Sequence, residues 1–394
     1  MKRRVLLLAS VASMIDQFNM QNICLLQEMG YQVHVACNFR QGNTCDGVRL
    51  KKLYRKLKHM HVIWHQWDCP RKVFPVRSCL HAYRQLWRLT GRYGFAWVHC
   101  QSPIGGALAR CVAHKRGIRV IYTAHGFHFY HGAPLKNWLC YYPVEKLLAH
   151  WTDVLVTINR EDYFFARCRL SAGRVVYIPG IGIDIKKFAC MEKSPETDRE
   201  AVCRAYGIPK EAFLLLSVGE LSRRKNHKDV ITALARMRRR DMHYLIGGQG
   251  EQREALHAYA KKLGLDAYVH FLGFQENVGR LYRAADIFVF PSEQEGMPVA
   301  LMEAMAAGLA CVVSDIRGNR ELITGTHRLN SGVYICCGGM RYQSGVIAQL
   351  QEALETMRTD HGFRERCGRY NRRRVLPYSQ EAVGMRMRAI YNVC

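Results

Sequence analysis

Two sets of short strands alternating with helical stretches predict an α/β protein built from two Rossmann-like domains. Three observations carry this expectation. Short β-branched or aromatic runs recur along the chain with helical stretches between them, the pattern of parallel strands joined by crossover helices. They fall into two groups on either side of a polar stretch, 190–204, that contains Ser194-Pro195 and has no strand pattern. The chain of 394 residues is long enough for two well-filled cores, and its apolar (49%) and charged (23%) fractions are ordinary.

In the first group, strands are predicted near Val5–Ala9, Gln32–Cys37, Val62–Trp64, Trp97–Cys100, Val120–Thr123, Val154–Ile158 and Val175–Ile178. In the second they fall near Phe213–Val218, His243–Ile246, Val269–Leu272, Ile287–Phe290, Cys311–Ser314 and Val333–Ile335. The expected organisation is a first domain over 1–189, a linker over 190–204, a second domain over 205–376 and a terminal helix over 377–394. The opening M-K-R-R-V-L-L-L-A-S has the basic start of a signal peptide. Its apolar run is short, however, and Asp16, Gln17 and Asn19 follow, so a first buried strand is expected. No segment reaches the roughly 18 apolar residues of a membrane span.

The 16 cysteines are scattered without a C-x-x-C pair, which points to buried free thiols in a reducing cytoplasm rather than a disulfide framework. His125, His128 and His131 stand three apart in a predicted loop without nearby acidic ligands, so no metal site is expected there. Charge is unevenly placed: up to Lys187 there are 28 Lys and Arg against 9 Asp and Glu, and beyond it 30 against 23. Arg49–Lys58 sets Leu50, Leu53, Tyr54 and Leu57 on one helical stripe with cations elsewhere, a basic amphipathic helix. Such a helix is either a solvated surface element or a dock for an anionic membrane surface, at about 1 kcal/mol per cation. Nucleic acid is disfavoured because no binding module accompanies the charge.

Candidate chemistry gathers in Pro291–Gly308, P-S-E-Q-E-G-M-P-V-A-L-M-E-A-M-A-A-G. Glu295 lies in a Gly-Pro loop, and Pro298 suits the first turn of a helix where its missing N–H costs nothing. Glu303 follows eight residues after Glu295, about 80° off a common face at 100° per residue, so a shared-proton dyad is not expected. The arrangement suits phosphate at the helix N-terminus and sugar hydroxyls on the carboxylates, or else a capping acid before a core helix. Upstream, Gly219 ends a strand and leads through Arg223, Arg224 and Lys225 into a helix near Asn226, a place for a diphosphate. Gly247-Gly248-Gln249-Gly250 follows another strand without a dinucleotide register. His125 stands at a strand end in the first domain, where a lone His is more often structural.

The string from Pro291, with its continuation Ser314, Asp315, Gly318 and Glu321, resembles the E-x7-E signature of the retaining GT-B glycosyltransferases of family 4. That family's form is P-S-x-x-E-G-x-P-x-x-x-x-E-A-M-A-x-G followed by S-D-x-x-G-x-x-E. The resemblance implies the GT-B fold, with a cleft between two Rossmann-like domains and a terminal helix crossing back. It implies that Lys225 and an arginine hold a donor diphosphate, that Glu295 orients the donor sugar and that Glu303 grips the ribose. Gly219, Gly248, Gly250, Gly296, Met297, Pro298 and Val299 would line the donor, and Phe271 would reach the base. Glu220 stands where the family often has its arginine, leaving Arg223 or Arg224 as the substitute. His125 matches the T-x-H strand end of the family, near the transferred sugar. His99-Cys100-Gln101-Ser102-Pro103 is similar to the H-C-H-T-P of capsule and exopolysaccharide members, with Gln101 in place of a His. The N-terminal Gly-Gly phosphate loop of other relatives is absent, since Ser10 to Asp16 contains no glycine.

The expected activity is transfer from a nucleotide sugar, UDP-linked ahead of GDP-linked, to a polyprenyl-diphosphate saccharide. No metal or other cofactor is expected. The expected location is the cytoplasmic membrane face, through the basic first domain. Two rivals remain at this level: a non-hydrolysing nucleotide-sugar epimerase on the same fold, and a membrane-surface scaffold without catalysis. The first would need acid/base carboxylates where the first domain has few acids.

Overall fold

Apolar runs buried on both faces favour parallel sheets covered by helices, and that is how both groups of strands assemble. The computed structural model describes residues 3–41, 47–71, 76–189 and 195–393. The chain divides into two units, Met1–Ile181 with Glu381–Cys394, and Gly182–Gln380.

In the first unit β1 (Arg4–Val11), β2 (Gln32–Asn38), β3 (Ile63–Gln66), β4 (Phe95–Gln101), β5 (Arg119–Ala124), β6 (Val154–Thr157) and β7 (Arg174–Tyr177) form one sheet. Their order is β3-β2-β1-β4-β5-β6-β7, and every pairing is parallel. The helix Gln380–Asn392 belongs to this unit: Tyr391 stacks on Trp97 with centroids 5.1 Å apart and its hydroxyl lies 3.0 Å from His99 Nδ1. Arg110, fully buried, is answered by Glu145 through two hydrogen bonds of 2.6 and 3.1 Å and lies 3.9 Å over the Tyr122 ring.

In the second unit β8 (Phe213–Val218), β9 (Met242–Gly247), β10 (Val269–Gly273), β11 (Ile287–Phe290), β12 (Ala310–Ser314), β13 (His327–Arg328), β14 (Tyr334–Cys336) and β15 (Gly339–Tyr342) form the sheet. The order is β10-β9-β8-β11-β12-β15-β14-β13. The edge β13-β14-β15 is antiparallel, and β15 enters parallel to β12. The predicted strand at Val333–Ile335 is therefore a hairpin arm. β15, fully buried yet reading Gly-Met-Arg-Tyr, gives no strand pattern because its arginine is held by the carbonyls of Ile323 and Gly325.

The expected linker over 190–204 is corrected. Residues 190–194 lie outside those described, and Pro195–Tyr206 is a helix of the second unit. Its polar residues are paired inside the unit. Asp198, 2% exposed, accepts from Arg283 Nε at 2.6 Å and Arg280 Nε at 3.3 Å, and Arg199 reaches Asp286 at 3.1 Å. The unit boundary lies instead at Ile181–Gly182, and Ser379 bridges back to Ile183 before the chain returns to the first unit. The basic helix is present as Gly47–His59, with Leu53 and Leu57 buried and Tyr54 stacked on Phe39 at 5.1 Å. Its apolar stripe packs inward while Lys51, Lys52 and Arg55 face solvent.

Burial holds several histidines neutral. His34 and His270 are pushed down to about 4, and His99 and His227 to about 3, in each case chiefly by desolvation. His34 stacks on His65, and His243 on His270, so both sheets carry a paired imidazole. Because the unfolded chain takes up these protons near 6.5 and the folded one does not, stability is complete above about pH 6.5 and falls as pH drops from there towards 4. Denaturant unfolding should show this slope, and His99→Gln should lower it by about one proton, or about 1.4 kcal/mol per pH unit. An unchanged slope in that variant would show that His99 is already charged in the folded protein.

Candidate functional site

Open parallel sheets receive ligands beyond the carboxyl ends of the strands where the strand order reverses. In the second unit that point lies between β8 and β11. Val218 ends the one strand and Phe290 the other, so the segments that follow, Gly219–Asn226 and Pro291–Pro298, emerge side by side.

After β8 the chain forms a short 3-10 turn, Arg223–Lys225, and passes Asn226 in the left-handed region (φ 51) into the helix His227–Met237. Lys225 Nζ donates to Glu295 Oε1 at 2.7 Å and lies 4.7 Å over the Phe290 ring. Arg224 Nη1 donates to the same oxygen at 2.7 Å and to the carbonyl of Gln294. A backbone bond from Glu293 N–H to the Arg224 carbonyl, 2.9 Å, ties the segments together. Of the two arginines, Arg224 is the one joined to Glu295; Glu220, Arg223 and Arg224 are all exposed.

The backbone N–H groups of two of the glycines are engaged within the sheet ends. Gly219 N–H donates to the Gly247 carbonyl at 2.9 Å and Gly248 N–H to the Gly273 carbonyl at 2.8 Å, so neither is aimed at an anion. What glycine allows is close approach: a Cβ on Gly248 would lie 1.7 Å from the Gly219 oxygen, and one on Gly250 2.3 Å from the Leu221 oxygen. Phe271 is partly buried, 5.8 Å from the His257 ring, and packs against the core.

Pro298 is the residue before the helix Val299–Ala307 (φ −78, ψ 112), one position earlier than expected, and no side chain caps that helix. The N–H groups of Val299, Ala300 and Leu301 therefore have no acceptor within the helix, and they carry the positive end of its dipole. Met297 and Pro298 are buried, and Gly296 is partly so. The second half of the motif braces this loop. Ser314 donates its hydroxyl to the Ser292 carbonyl, Asn319 Nδ2 holds the Ser314 carbonyl at 2.9 Å, and a Cβ on Gly318 would lie 2.9 Å from the Gly296 oxygen and 3.0 Å from the Glu295 oxygen.

Glu303 has separate partners. The Tyr282 hydroxyl lies 3.0 Å from Glu303 Oε2 and 3.1 Å from the Ala300 carbonyl oxygen. Desolvation pushes Glu303 up to about 7, against the pull of the Tyr282 hydrogen bond and the Lys187 charge. Sequence reasoning missed Tyr282 and Lys187, for which no motif residue gives a signal.

In the first unit the order reverses between β1 and β4. His125, just past β5, donates from Nε2 to Gln101 Oε1 at 2.7 Å, and Gln101 in turn pairs with the buried amide of Asn19. Burial lowers His125 to about 4, so the ring is neutral near pH 7, and with Nε2 as donor its Nδ1 is left as an acceptor. Ser10 and Ser102 hydroxyls meet at 2.5 Å beside this group, and His99 Nε2 lies 2.8 Å from the Thr123 hydroxyl. His128 stacks edge-on against Tyr141. Among the described residues no group of three His, Cys, Asp or Glu side chains converges.

Comparison with known proteins bears on the family and the fold. The family described as "Glycosyl transferases group 1" matches residues 198–374, and a "Glycosyl transferase 4-like domain" matches residues 17–180. EpsD of Bacillus subtilis (strain 168), which carries the name of a glycosyltransferase, is 33% identical over 100% of this chain and 97% of its own. An Escherichia coli enzyme named UDP-Gal:alpha-D-GlcNAc-diphosphoundecaprenol alpha-1,3-galactosyltransferase is 29% identical over 60% of this chain and 62% of its own. The crystal structure of Anabaena HepE in complex with UDP-glucose superposes with a TM-score of 0.77 at 16% identity, covering 99% of this chain and 100% of that one, which establishes the two-domain GT-B fold.

Because Gly318 touches the Glu295–Gly296 backbone, Gly318→Ala is expected to displace the loop and cost about 1–3 kcal/mol, as overpacking does. Chemical denaturation reads the cost, and a variant as stable as the wild type would show that the brace yields freely.

Proposed function

The chain belongs to the glycosyl transferases group 1 family and is a glycosyltransferase, and from that premise we propose that it moves a sugar, with retention, from a UDP-linked donor to a saccharide carried on a polyprenyl diphosphate. The observation that carries this reading is the meeting of Lys225, Arg224 and Glu295 at an uncapped helix start. A diphosphate arriving there takes up Lys225, Arg224 and the amides of the first helical turn. Glu295, released from its cations, then turns to the hydroxyls of the donor sugar. Glu303 receives the ribose hydroxyls, and His125 offers Nδ1 to a substrate hydroxyl.

In the chemical step the bond from the anomeric carbon to the leaving phosphate breaks as the bond to the acceptor oxygen forms on the same face. The acceptor's proton passes to the departing phosphate. Fixed positive groups that meet charge as it develops on the diphosphate are the largest contribution expected of such a site. Lys225, Arg224 and the helix dipole supply that charge, so no metal ion is assigned to the reaction. The UDP donor is supported by the names of the Escherichia coli relative and of the Anabaena structure, and the lipid-linked acceptor by the former. Such an acceptor puts the enzyme at the cytoplasmic membrane face, to which the basic first half of the chain is drawn.

Heat protection across a panel of nucleotide sugars should single out UDP-linked donors, and Lys225→Ala or Glu295→Ala should lower kcat about 100-fold or more. An epimer formed without acceptor, or full transfer by Glu295→Ala, would overturn the assignment. Ribose hydroxyls donate best to an ionised carboxylate, and Glu303 is half protonated near pH 7 in the empty protein. Nucleotide affinity is therefore expected to rise with pH up to about 7 and to weaken by up to about tenfold per unit below it, with proton release on binding. Calorimetry in buffers of different ionisation enthalpy measures the release. Glu303→Gln should abolish it, and a wild type that releases no proton would remove Glu303 from the ribose.

A further inference from the structure

Gln101, at the end of β4, and Asn19, at the break between the helices Ala12–Phe18 and Met20–Glu28, are both buried, at 3% and 0% exposure. Each buried amide must find an acceptor for its NH2 group and a donor for its oxygen. The two meet as a reciprocal pair: Gln101 Nε2 donates to Asn19 Oδ1, and Asn19 Nδ2 lies 3.3 Å from Gln101 Oε1. Alone, such a pair is satisfied in two ways, since turning both amides over restores both bonds. The Met14 carbonyl, 3.0 Å from Asn19 Nδ2, removes the second way because it can only accept. Asn22 Nδ2, 3.4 Å from Asn19 Oδ1, favours the same orientation. Asn19 therefore presents its oxygen to Gln101, Gln101 answers with Nε2, and Gln101 Oε1 is left facing His125 Nε2 at 2.7 Å. A ring nitrogen opposite an amide oxygen has to carry the proton.

We propose that Gln101, oriented through Asn19 by the Met14 carbonyl, is a positioning residue for the transfer: it holds His125 as the tautomer protonated at Nε2 and so keeps Nδ1 an acceptor. A neutral imidazole carries its proton on either nitrogen, and the hydrogen bond made by one nitrogen decides the state of the other. Among the described residues no hydrogen bond reaches Nδ1, and the Phe18 ring packs beside the imidazole with centroids 5.7 Å apart. An acceptor there takes a substrate group that donates, such as a sugar hydroxyl, and turns away one that brings lone pairs alone, such as a carboxylate. The use of an amide for this task matters as well. A carboxylate opposite Nε2 would favour the imidazolium, in which Nδ1 becomes a donor and the acceptor is lost. Gln101 is uncharged and imposes the tautomer without drawing a second proton onto the ring. The relay takes its purpose, but not its evidence, from the part given to His125 in the function proposed above.

The test reads the tautomer directly, from the nitrogen chemical shifts of the His125 imidazole in the full chain labelled with nitrogen-15 histidine, near neutral pH and without donor or acceptor. Loss of the signals in His125→Gln assigns them. The wild type should show Nε2 protonated and Nδ1 bare. Gln101→Met keeps the length of the side chain without its amide, and Asn19→Leu removes the partner of Gln101. Both should move the two nitrogen shifts towards each other as the Nδ1–H form mixes in, with an otherwise unchanged backbone amide spectrum to show each variant folded. With a UDP-linked donor both should lower kcat/KM about tenfold, the worth of one hydrogen bond. A wild type protonated at Nδ1, or either variant holding the wild-type tautomer alone, would overturn the proposal. If the tautomers mix as expected while kcat/KM is unchanged, the relay stands and the part given to His125 in the transfer falls.

Discussion

The contact that organises the second unit is the acceptance of Lys225 and Arg224 by one oxygen of Glu295. Lys225 and Glu295 are each only 12% exposed at the side chain, so either one alone would be a charge largely withdrawn from water. Each therefore fixes the other before any ligand arrives. The sheet makes the pairing possible, because β8 and β11 are neighbours although β9, β10 and their connecting helices separate them in sequence. Close backbone packing keeps it in register: Gly248 and Gly250 let the turns after β8 and β9 approach, and Gly318 presses the Glu295 loop from the other side. On the proposed function, a diphosphate entering here would exchange an internal ion pair for an external one. Net affinity would thereby be moderated, and the carboxylate would be released as the sugar arrives.

The first unit shares with the second the strand order around the switch point but has different chemistry there. His125, Gln101, Asn19, Ser10 and Ser102 are neutral groups, each able to be both donor and acceptor or fixed in one role by its neighbour. Such a group suits hydroxyls rather than phosphate. The large positive charge of this half of the chain is elsewhere: Arg110 is neutralised by Glu145 within the core, and the lysines of Gly47–His59 face solvent. Net charge thus reports on the surface of the unit and says nothing about its interior.

Much of this was legible in the sequence because apolar runs alternate with crossover helices and the Glu295 motif is long. The strands were found wherever burial makes them apolar. β15 was missed where a buried arginine finds carbonyls, and Pro195–Tyr206 was read as a linker because Asp198 and Arg199 are polar. Polarity signals solvent only when a residue's partners are unknown, and the partners of these residues lie about 80 positions away. The glycines were legible as turn residues, but a sequence cannot distinguish a glycine that frees an N–H from one that removes a Cβ. Arg224 could not be chosen over Arg223 without the turn that directs one towards Glu295 and the other outward.

The same limit applies to the membrane. A basic amphipathic pattern is the usual sign of an interfacial helix, and Gly47–His59 has it. Yet an amphipathic helix has a single apolar face, and in a folded domain the sheet beneath is the first surface to claim it. A helix whose sequence shows no amphipathicity can instead keep apolar side chains exposed on its outer side, as Leu135–Ala149 does. In that helix Trp138 and Tyr142 pack on the protein, while Leu139 and Leu147 are exposed and share their side of the helix with Lys136 and Lys146.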